Sequence, residues 1–484
     1  MEKPLNVRLH IVSPVHIGCD DVYEPTSFVI DEKKGKLIVF DPIDFIKSLS
    51  PEDRQRFTAL CMQGTISSIV GIYKFISGRQ VKGREVEIAS ELSSHYKKVR
   101  DLPQNAEGRV RQELNKFAIS RTAYNPHNNL PYIPGSSLKG SFRTAYLSKL
   151  AKDRGIKDGK DRKDRAKELE EELLGGNFAT DPFRMVKVSD FMPVGDVKTK
   201  IVYAVNKKKK ISKFEARGPF QILEIIKEGS VFEGIINIQK PEQKTGIKNP
   251  IEIKEFLKSI NRFFMSEANK ESGTTKEIGA GTIVDMRINE QFKDWLGKTV
   301  FLVRIGRHSG AESVTIEGNR FIKIMQGREQ PSKFLDHATT IWLASETSKP
   351  NTSNGLVPFG WAVLELLPFD IENIYPLSFV MERSEPKETE TKVLNTAVKP
   401  VSQNLKPEPI LWENAYLIWN PGNATLTATK DNKKAEIRLG SDRAIVPETL
   451  HKKLFEKRKG VGATVTVAPV GNTFKIIKIE PTTG

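Results

Sequence analysis

Three side chains near the amino terminus have types and a spacing that acid–base or metal chemistry could use. His16 follows an apolar run, and the carboxylates Asp20 and Asp21 come within five residues of it. Such a histidine could act as a general base on a ribose 2′-hydroxyl, and the two carboxylates could hold a magnesium ion. The alternative is a strand-end histidine that forms a local hydrogen bond or contacts RNA without chemistry. We favour this alternative for His16 and predict no catalytic residue. The aspartates lack an evident third carboxylate partner, so we interpret them as part of a solvated turn.

A second segment, Tyr132 to Leu150, has the features of a phosphate-binding helix start. Its sequence is YIPGSSLKGSFRTAYLSKL, in which either of two serines can cap the helix. Two cations follow, four residues apart on one face of the first turns. Free amides, hydroxyls and cations together suit a phosphate group, and a glycine lets another backbone approach. An ordinary surface helix with solvated cations is the alternative. The candidate residues are Gly135, Ser136, Ser137, Lys139, Gly140 and Arg143.

A glycine-rich loop is another candidate for binding an anion. Its sequence, GRHSGAES, begins with Gly306, and Arg307 lies between that glycine and Gly310. Successive backbone amides in such a loop could form an anion nest. A simple hairpin turn, which needs glycine for the same steric reason, is the alternative.

The densest basic run interrupts a predicted sheet. We predict either a flexible hairpin tip that contacts phosphates or a solvated turn that keeps the protein soluble. The run consists of Lys207, Lys208, Lys209 and Lys210.

Composition favours a polyanionic partner. Seventy-six Lys and Arg residues against sixty Asp and Glu residues leave a net charge of +16. Nucleic acid is therefore the leading partner class. A membrane surface competes, but the amino terminus has no apolar signal core, and no run approaches the ~18 apolar residues of a spanning helix. We expect a cytoplasmic protein without membrane contact. Two cysteines, Cys19 and Cys61, fit a reducing compartment.

The spacing of motifs in the sequence argues against a nucleotide-triphosphate loop and against a metal site. In GSSLKGS, Lys139 precedes Gly140 and the spacing is one residue short of a nucleotide-triphosphate loop. The seven histidines show no metal-binding spacing, and no paired CxxC occurs. We therefore predict no metal and no cofactor.

The order of predicted elements indicates an α+β protein with a small additional module. Strand and helix runs recur in both halves up to about Leu367, which suggests two α+β units packed together. The polar, proline-containing stretch 384–409 is predicted to be a disordered linker. Residues 410–484 contain short alternating strands and one helix, as in a small barrel of the oligonucleotide-binding type. A protein-docking or purely stabilising appendage is the alternative for this module.

The motifs together resemble the RAMP superfamily of CRISPR systems. The resemblance rests on LHIVSPVHIGCDDVYEPTSFVID near the start, YIPGSSLKGSFRTA in the middle, and FLVRIGRHSGAESVT with GLVPFGWAVLEL later. Within the superfamily, the order and spacing are most similar to the subunit that caps the crRNA 3′ end in type III-A, or Csm, effector complexes. The resemblance covers roughly Leu5 to Leu367, so the stretch beyond it departs from the compact family pattern.

This resemblance implies tandem ferredoxin-like, RRM-like RAMP domains with helical insertions, which we divide at 1–225 and 226–383. It implies a non-catalytic subunit that binds crRNA, stacks on the RAMP backbone subunits, and helps host nucleases trim the crRNA 3′ end, with target RNA as a further candidate partner. The residues carried over as RNA contacts, beside the lysine run, are His16, Gly18, Gly135, Ser136, Ser137, Lys139, Gly140, Arg143, Gly306, Arg307 and Gly310.

Two other functions remain open from the sequence. The first is a metal-independent RAMP endoribonuclease that cleaves precursor crRNA with His16 as its base. The second is a scaffold whose basic surface mainly meets acidic proteins.

Overall fold

The protein is described by a computed structural model with defined gaps. The described residues are 4–103, 107–157, 165–212, 216, 218–325, 330–367, 410–421, 425–431, 433–438, 445–456, 460–470 and 473–481. The chain forms two compact units, Met1–Lys387 and Glu388–Gly484. Each unit mixes helices and strands, which confirms the predicted α+β class. The predicted linker 384–409 lies outside the described residues.

The first unit contains seventeen strands within its described residues. They are β1 (Leu5–Ile11), β2 (Gly18–Val22), β3 (Phe28–Asp31), β4 (Lys36–Val39), β5 (Arg84–Ile88), β6 (Ile119–Thr122), β7 (Val186–Val188), β8 (Met192–Val194), β9 (Thr199–Lys208), β10 (Gln221–Ile226), β11 (Val231–Ile238), β12 (Val300–Arg304), β13 (Ile322–Ile324), β14 (Lys333–Leu335), β15 (Thr340–Ser345), β16 (Val357–Pro358) and β17 (Trp361–Leu366).

Helices connect these strands. They are α1 (Pro42–Ser48), α2 (Pro51–Met62), α3 (Ile66–Ile76), α4 (Leu92–Arg100), α5 (Glu107–Lys116), α6 (Gly135–Asp153), α7 (Arg165–Leu174), α8 (Ile253–Glu277) and α9 (Ile283–Phe292). Local chemistry explains several starts: Asp41, Ser50 and Thr65 cap α1, α2 and α3 with side-chain oxygens. Proline at the first position of α1 and α2 has the φ angle that a helix needs.

The first sheet has the strand order β12-β17-β1-β11-β7, and β8 also pairs with β11. All these pairs are antiparallel. β1 lies in the middle of this sheet. Its alternate residues Leu5, Val7, Leu9 and Ile11 are all buried, as expected of a strand that packs one face on the core. The sheet takes strands from both sides of the predicted boundary between residues 225 and 226, which lies inside β10.

Helices α6 and α8 pack into the same core as the first sheet. The Phe142 ring of α6 meets the Phe256 ring of α8 edge-on, with 5.3 Å between ring centres, and both side chains are fully buried. Burying an aromatic side chain of this size contributes roughly 1.5–3 kcal/mol. Helix α7 lies in a highly charged stretch of the sequence, yet its Leu169, Leu173 and Leu174 also join this core.

The second sheet has the order β2-β6-β10-β9-β5-β4-β3, with β15 paired to β9 and β16 to β15. Its core includes an aromatic cluster between the strands and α3, α4 and α5, in which Tyr73 and Tyr96 contact at 5.3 Å between ring centres. The chain passes between the two sheets at two neighbouring places. β1 of the first sheet leads through the His16 segment into β2 of the second, and β10 of the second sheet leads into β11 of the first. The end of β1 and the end of β10 therefore meet.

The second unit is a closed barrel with its own core. Its elements are β18 (Ile410–Asn420), β19 (Thr425–Lys430), β20 (Lys433–Arg438), α10 (Glu448–His451) with a π-helical turn (Lys452–Glu456), β21 (Val461–Val470) and β22 (Thr473–Pro481). The strand order around the barrel is β18-β19-β20-β22-β21. Leu417, Leu426 and Val465 lie in its interior with no exposed surface.

Candidate nucleic-acid interface

The three sequence motifs of the first unit meet at one groove of about 610 Å³. We call it the motif groove. Its lining residues come from the segment after β1, from the start of α6 and from the loop after β12; they are Ile17, Gly18, Asp20, Ser136, Ser137, Gly140, Ser141, Thr144, Arg304, Ile305, Gly306, Arg307, Ser309, Ser313 and Val314. Segments separated by more than a hundred residues of sequence thus form one surface.

His16 lies beneath the groove rather than in it. Its side chain is 1% exposed, and its Nδ1 hydrogen-bonds the Glu224 carbonyl oxygen at 2.7 Å. Because a carbonyl oxygen can only accept, Nδ1 carries the proton and Nε2 is the unprotonated nitrogen. Burial lowers the pKa of His16, so the ring is neutral near pH 7. No described residue hydrogen-bonds Nε2, which lies 3.8 Å from the place that a Cβ would take on Gly18.

The glycine loop is joined to the His16 segment through the backbone. The amide of Arg307 donates to the His16 carbonyl oxygen at 2.8 Å. Gly306 has a φ of +79°, and a Cβ there would lie 2.5 Å from the same carbonyl oxygen. Glycine is therefore required both by the backbone angle and by the close approach. Because the Arg307 amide already donates to His16, it is not available as a donor of the predicted anion nest. The Arg307 side chain is exposed at the groove.

The start of α6 differs from the prediction in its capping. Pro134 is the N-cap residue and contributes no side-chain hydrogen bond, so the predicted cap by a serine is wrong. Instead the amide of Gly135 donates to Asp190 Oδ1 at 2.8 Å. A Cβ on Gly135 would come within 2.3 Å of the Val188 carbonyl oxygen. Glycine at this position thus lets the helix begin directly against the β7–β8 connection.

Small side chains form the groove face of α6. Ser136, Gly140 and Thr144 recur every four residues and all line the groove. A Cβ on Gly140 would meet nothing within 4 Å. A row of small residues lets another backbone come close to a helix, and the spacing of four was visible in the sequence.

The two cations of this helix lie elsewhere. Arg143 donates to Glu170 Oε2 at 2.9 and 2.6 Å and to Asp181 Oδ2 at 2.7 Å, and neither Arg143 nor Lys139 lines the groove. Burial, with Lys187 as the next cause, lowers the pKa of Lys139. The structure therefore separates the cation pair from the serines with which we expected it to act. An intramolecular ion-pair network accounts for Arg143.

The lysine run belongs partly to a strand. β9 continues through Lys208 and pairs there with β15. Within the run, Lys207 Nζ donates to the Pro350 carbonyl oxygen at 3.1 Å, and Lys209 Nζ lies 2.5 Å from Glu312 Oε1. Lys210 is exposed beyond the strand end. None of the four lines the motif groove.

Sequence reasoning missed two buried polar groups at the groove. Arg304, 5% exposed, donates from Nε to the Phe359 carbonyl oxygen at 3.0 Å and pairs with Glu271 at 2.5 Å. Its Nη2 and the hydroxyl of Ser141 are buried without a hydrogen-bond partner among the described residues. Arg304 ends a strand of apolar residues, and that position was the available sequence signal.

In the described part of the chain, no group of three or more His, Cys, Asp or Glu side chains is placed so that it could hold a metal ion. Within the same residues, no helix has the length and apolar character needed to cross a membrane.

Comparison with known proteins gives two named relatives. The chain is 26% identical over 209 residues to the CRISPR system Cms protein Csm5 of Methanocaldococcus jannaschii, a match that covers 38% of this chain and 42% of the relative. It is 22% identical over 210 residues to the protein of the same name from Enterococcus italicus, covering 42% of this chain and 52% of the relative. The chain thus spans about half the length of each relative.

A solved structure shares the fold. One chain of a cryo-EM structure of a Csm-crRNA-target RNA ternary complex of a type III-A CRISPR-Cas system superposes with a TM-score of 0.50 and 16% identity. The match covers 75% of this chain and all of that one. A sequence model of the RAMP superfamily matches residues 8–310, more than half of the chain, and that range includes the first two motifs of the groove and the glycine loop as far as Gly310. The chain belongs to the RAMP superfamily.

Proposed function

We propose that this protein is a non-catalytic crRNA-binding subunit of a type III-A CRISPR effector complex, which caps the crRNA 3′ end and assists its maturation. The observation that carries the proposal is the motif groove, where an exposed arginine, a row of small residues and serine hydroxyls lie together. The names of the two relatives and the membership of the RAMP superfamily support the choice of complex. The proposed partners are crRNA, target RNA, the RAMP backbone subunits and host trimming nucleases.

The groove suits an RNA backbone. Arg307 supplies positive charge, while Gly140 and its serine neighbours allow sugar and phosphate to approach the helix closely. The hydroxyls of Ser136 and Ser137 supply further donors for phosphate or 2′-hydroxyl oxygens. Such contacts position a strand without identifying its bases, as a subunit that accepts many guide sequences requires.

The proposal includes a ferredoxin-like domain whose elements come from both sides of the predicted boundary at residues 225 and 226. The chain order β1, α6, β7, β11, α8 and β17 is a βαββαβ sequence, and the sheet order β17-β1-β11-β7 is fully antiparallel. Those features are the ones expected of a ferredoxin-like, RRM-like domain. The second sheet would belong to the other half of the tandem.

The second unit is proposed to be a barrel of the oligonucleotide-binding type. Five strands close in the order β18-β19-β20-β22-β21, the third and fifth pair in parallel, and the helix lies between the third and fourth. This arrangement supports that assignment over an unrelated appendage.

Binding of guide RNA to the full chain tests the proposal. We expect Arg307→Ala to weaken binding of a labelled single-stranded repeat-derived RNA and to reduce the slope of log affinity against log salt by about 0.7–1, because one phosphate contact is lost. Arg56→Ala is the matched control, since Arg56 is an exposed arginine on α2 outside the groove. Equal losses in the two variants, or an affinity that salt does not change, would contradict the proposal.

The absence of catalysis is the part of the proposal that is easiest to test. His16 is buried and neutral, and the lining of the groove does not include it. We therefore expect the full chain to leave precursor crRNA intact in EDTA. Site-specific cleavage that disappears in His16→Ala would instead establish the endoribonuclease alternative.

A further inference from the structure

A second cavity of the first unit, of about 350 Å³, adjoins the glycine loop. We call it the Trp342 cavity. Its walls come from β15, from α8 and from the part of the loop that begins at Gly310, whereas Gly306 and Arg307 line the motif groove. Arg304 lines both spaces, so the cavity and the groove are neighbours.

The buried charges in the wall of this cavity are paired with one another. The three pairs are Arg304 with Glu271 at 2.5 Å, Arg320 with Glu267 at 2.9 Å, and Lys209 with Glu312 at 2.5 Å. Because each of these carboxylates already has a cation beside it, a charged ligand would have to compete with an existing ion pair. A neutral ligand can instead form hydrogen bonds with a wall that offers both donors and acceptors. The lining therefore favours a neutral polar ligand over a phosphate group.

Trp342 gives the cavity an aromatic surface. Its indole is partly buried, and the His308 imidazole packs against it with 4.5 Å between ring centres and a tilt of 35°. The indole also lines the cavity. Because the ring is supported by a neighbour before any ligand arrives, a flat ligand that stacks on it removes less conformational entropy.

Polar groups lie beside the indole. Thr340 is two residues before Trp342 on β15, so both side chains are on one face of the strand, and both line the cavity. A threonine hydroxyl can donate and accept a hydrogen bond. The amide of Ala338 donates to Glu312 Oε1 at 2.8 Å, which holds this carboxylate in the wall. A stacking surface with donors and acceptors next to it is the combination that recognises a nucleobase.

We propose that the Trp342 cavity binds one nucleobase, which stacks on the indole and forms hydrogen bonds with the polar wall. The base belongs either to a free nucleoside or to a strand that lies in the neighbouring motif groove. Only the second source rests on the proposed function, because it needs RNA in the groove. A purine should bind more tightly than a pyrimidine, because its larger ring system covers more of the indole.

Saturation-transfer difference NMR on the full chain tests the free nucleoside, with adenosine, cytidine and uridine as probes. We expect adenosine to bind most tightly, and its base protons to receive more saturation than its ribose protons. Trp342→Leu should weaken this binding at least about fivefold, because a leucine cannot stack on the base. Trp295→Leu is the matched control, since Trp295 is another partly buried tryptophan of the first unit and lines neither the cavity nor the groove.

Fluorescence anisotropy tests the strand as the source of the base. The probes are a labelled repeat-derived RNA and a series of the same RNA in which one nucleotide at a time lacks its base. If the strand supplies the base, one abasic position should weaken binding to the full chain but make no difference to the Trp342→Leu chain, because both changes remove the same stack. Adenosine binding without any such position in the RNA would identify a free nucleoside as the ligand.

A filling variant covers the case in which Trp342→Leu disturbs folding. Ala338 is a partly buried residue of the wall, so Ala338→Leu should occupy the cavity while the indole stays in place, and base binding should fall in either arm. The proposal is overturned if neither arm responds to Trp342→Leu and Ala338→Leu, or if Trp295→Leu causes an equal loss. A chain that binds adenosine but no RNA would contradict the proposed function and leave this inference standing.

Discussion

At the scale of single residues, burial decides what the two histidines of the motif region can do. His16 is enclosed beneath the groove, and His308 of the glycine loop lies over Trp342 with 4.5 Å between ring centres. Burial, with Arg307 as the next cause, lowers the pKa of His308 to about 4. Both imidazole rings are therefore neutral near pH 7 and support the loop. The positions of the two histidines in the sequence did not indicate that they would be neutral.

Neutral buried histidines make stability depend on pH. The folded pKa of His308 lies below its ordinary value of 6.5, so the unfolded chain binds a proton first as the pH falls. The stabilisation is complete above pH ~6.5 and is lost towards pH ~4, by about 2 kcal/mol between pH 6.5 and 5. Urea unfolding at several pH values measures it. His308→Asn, which tolerates the φ of +65° at this position, should lose less over that range. Equal losses would contradict the prediction.

Arg143 should matter for stability rather than for RNA. Its guanidinium pairs with Glu170 and Asp181 on a partly buried surface, so Arg143→Ala leaves two carboxylates without their partner. We expect a loss of about 1–2 kcal/mol of unfolding free energy after allowing for solvent screening, with RNA affinity nearly unchanged. Glu170→Gln is the matched control and should lose less. A large drop in RNA affinity at unchanged stability would restore the phosphate-binding role first inferred from the sequence.

At the scale of elements, α6 combines a groove face and a packing face. Gly140 belongs to the groove face, and nothing lies within 4 Å of a Cβ at that position. Gly140→Ala should therefore raise stability by up to about 1 kcal/mol through helix propensity, yet weaken RNA binding because the added methyl blocks a close backbone approach. Gly273→Ala in α8 is the control, since it also meets open space and lies outside the groove. Thermal unfolding and RNA titration of both variants check the prediction, and unchanged affinity in Gly140→Ala would contradict it.

Individual strands and helices were easier to predict from the sequence than the pairing of those strands into sheets. The β3–β4 hairpin consists of two apolar runs on either side of a turn, and the strands β9, β10, β11 and β17 correspond to apolar runs in the sequence. The interleaving of the two sheets depends on pairings such as β1 with β17, more than 350 residues apart, which local patterns do not encode. Helical geometry already separates Lys139 from Gly140 by about 100° around α6, but only the packing of α7 explains why Arg143 faces acidic partners.

At the scale of the whole molecule, each of the two units has its own hydrophobic core. The first unit has its core around the two sheets, whereas the barrel has a separate cluster that includes Leu417 and Leu426. The net charge of +16 belongs to the chain as a whole, so a salt-dependent affinity is expected of any RNA contact.

Separate cores predict separate unfolding. Gly306→Ala, which forces a Cβ to within 2.5 Å of the His16 carbonyl oxygen, should lower the melting temperature of the first unit. Leu426→Ala removes a fully buried barrel side chain and should cost the second unit about 2–5 kcal/mol. Calorimetry of the full chain should show two transitions, of which each variant shifts one. The Arg307→Ala chain, altered only at an exposed side chain, should keep both transitions. A single transition that both core variants shift would mean that the two units fold as one, because two-state cooperativity would then extend across the chain.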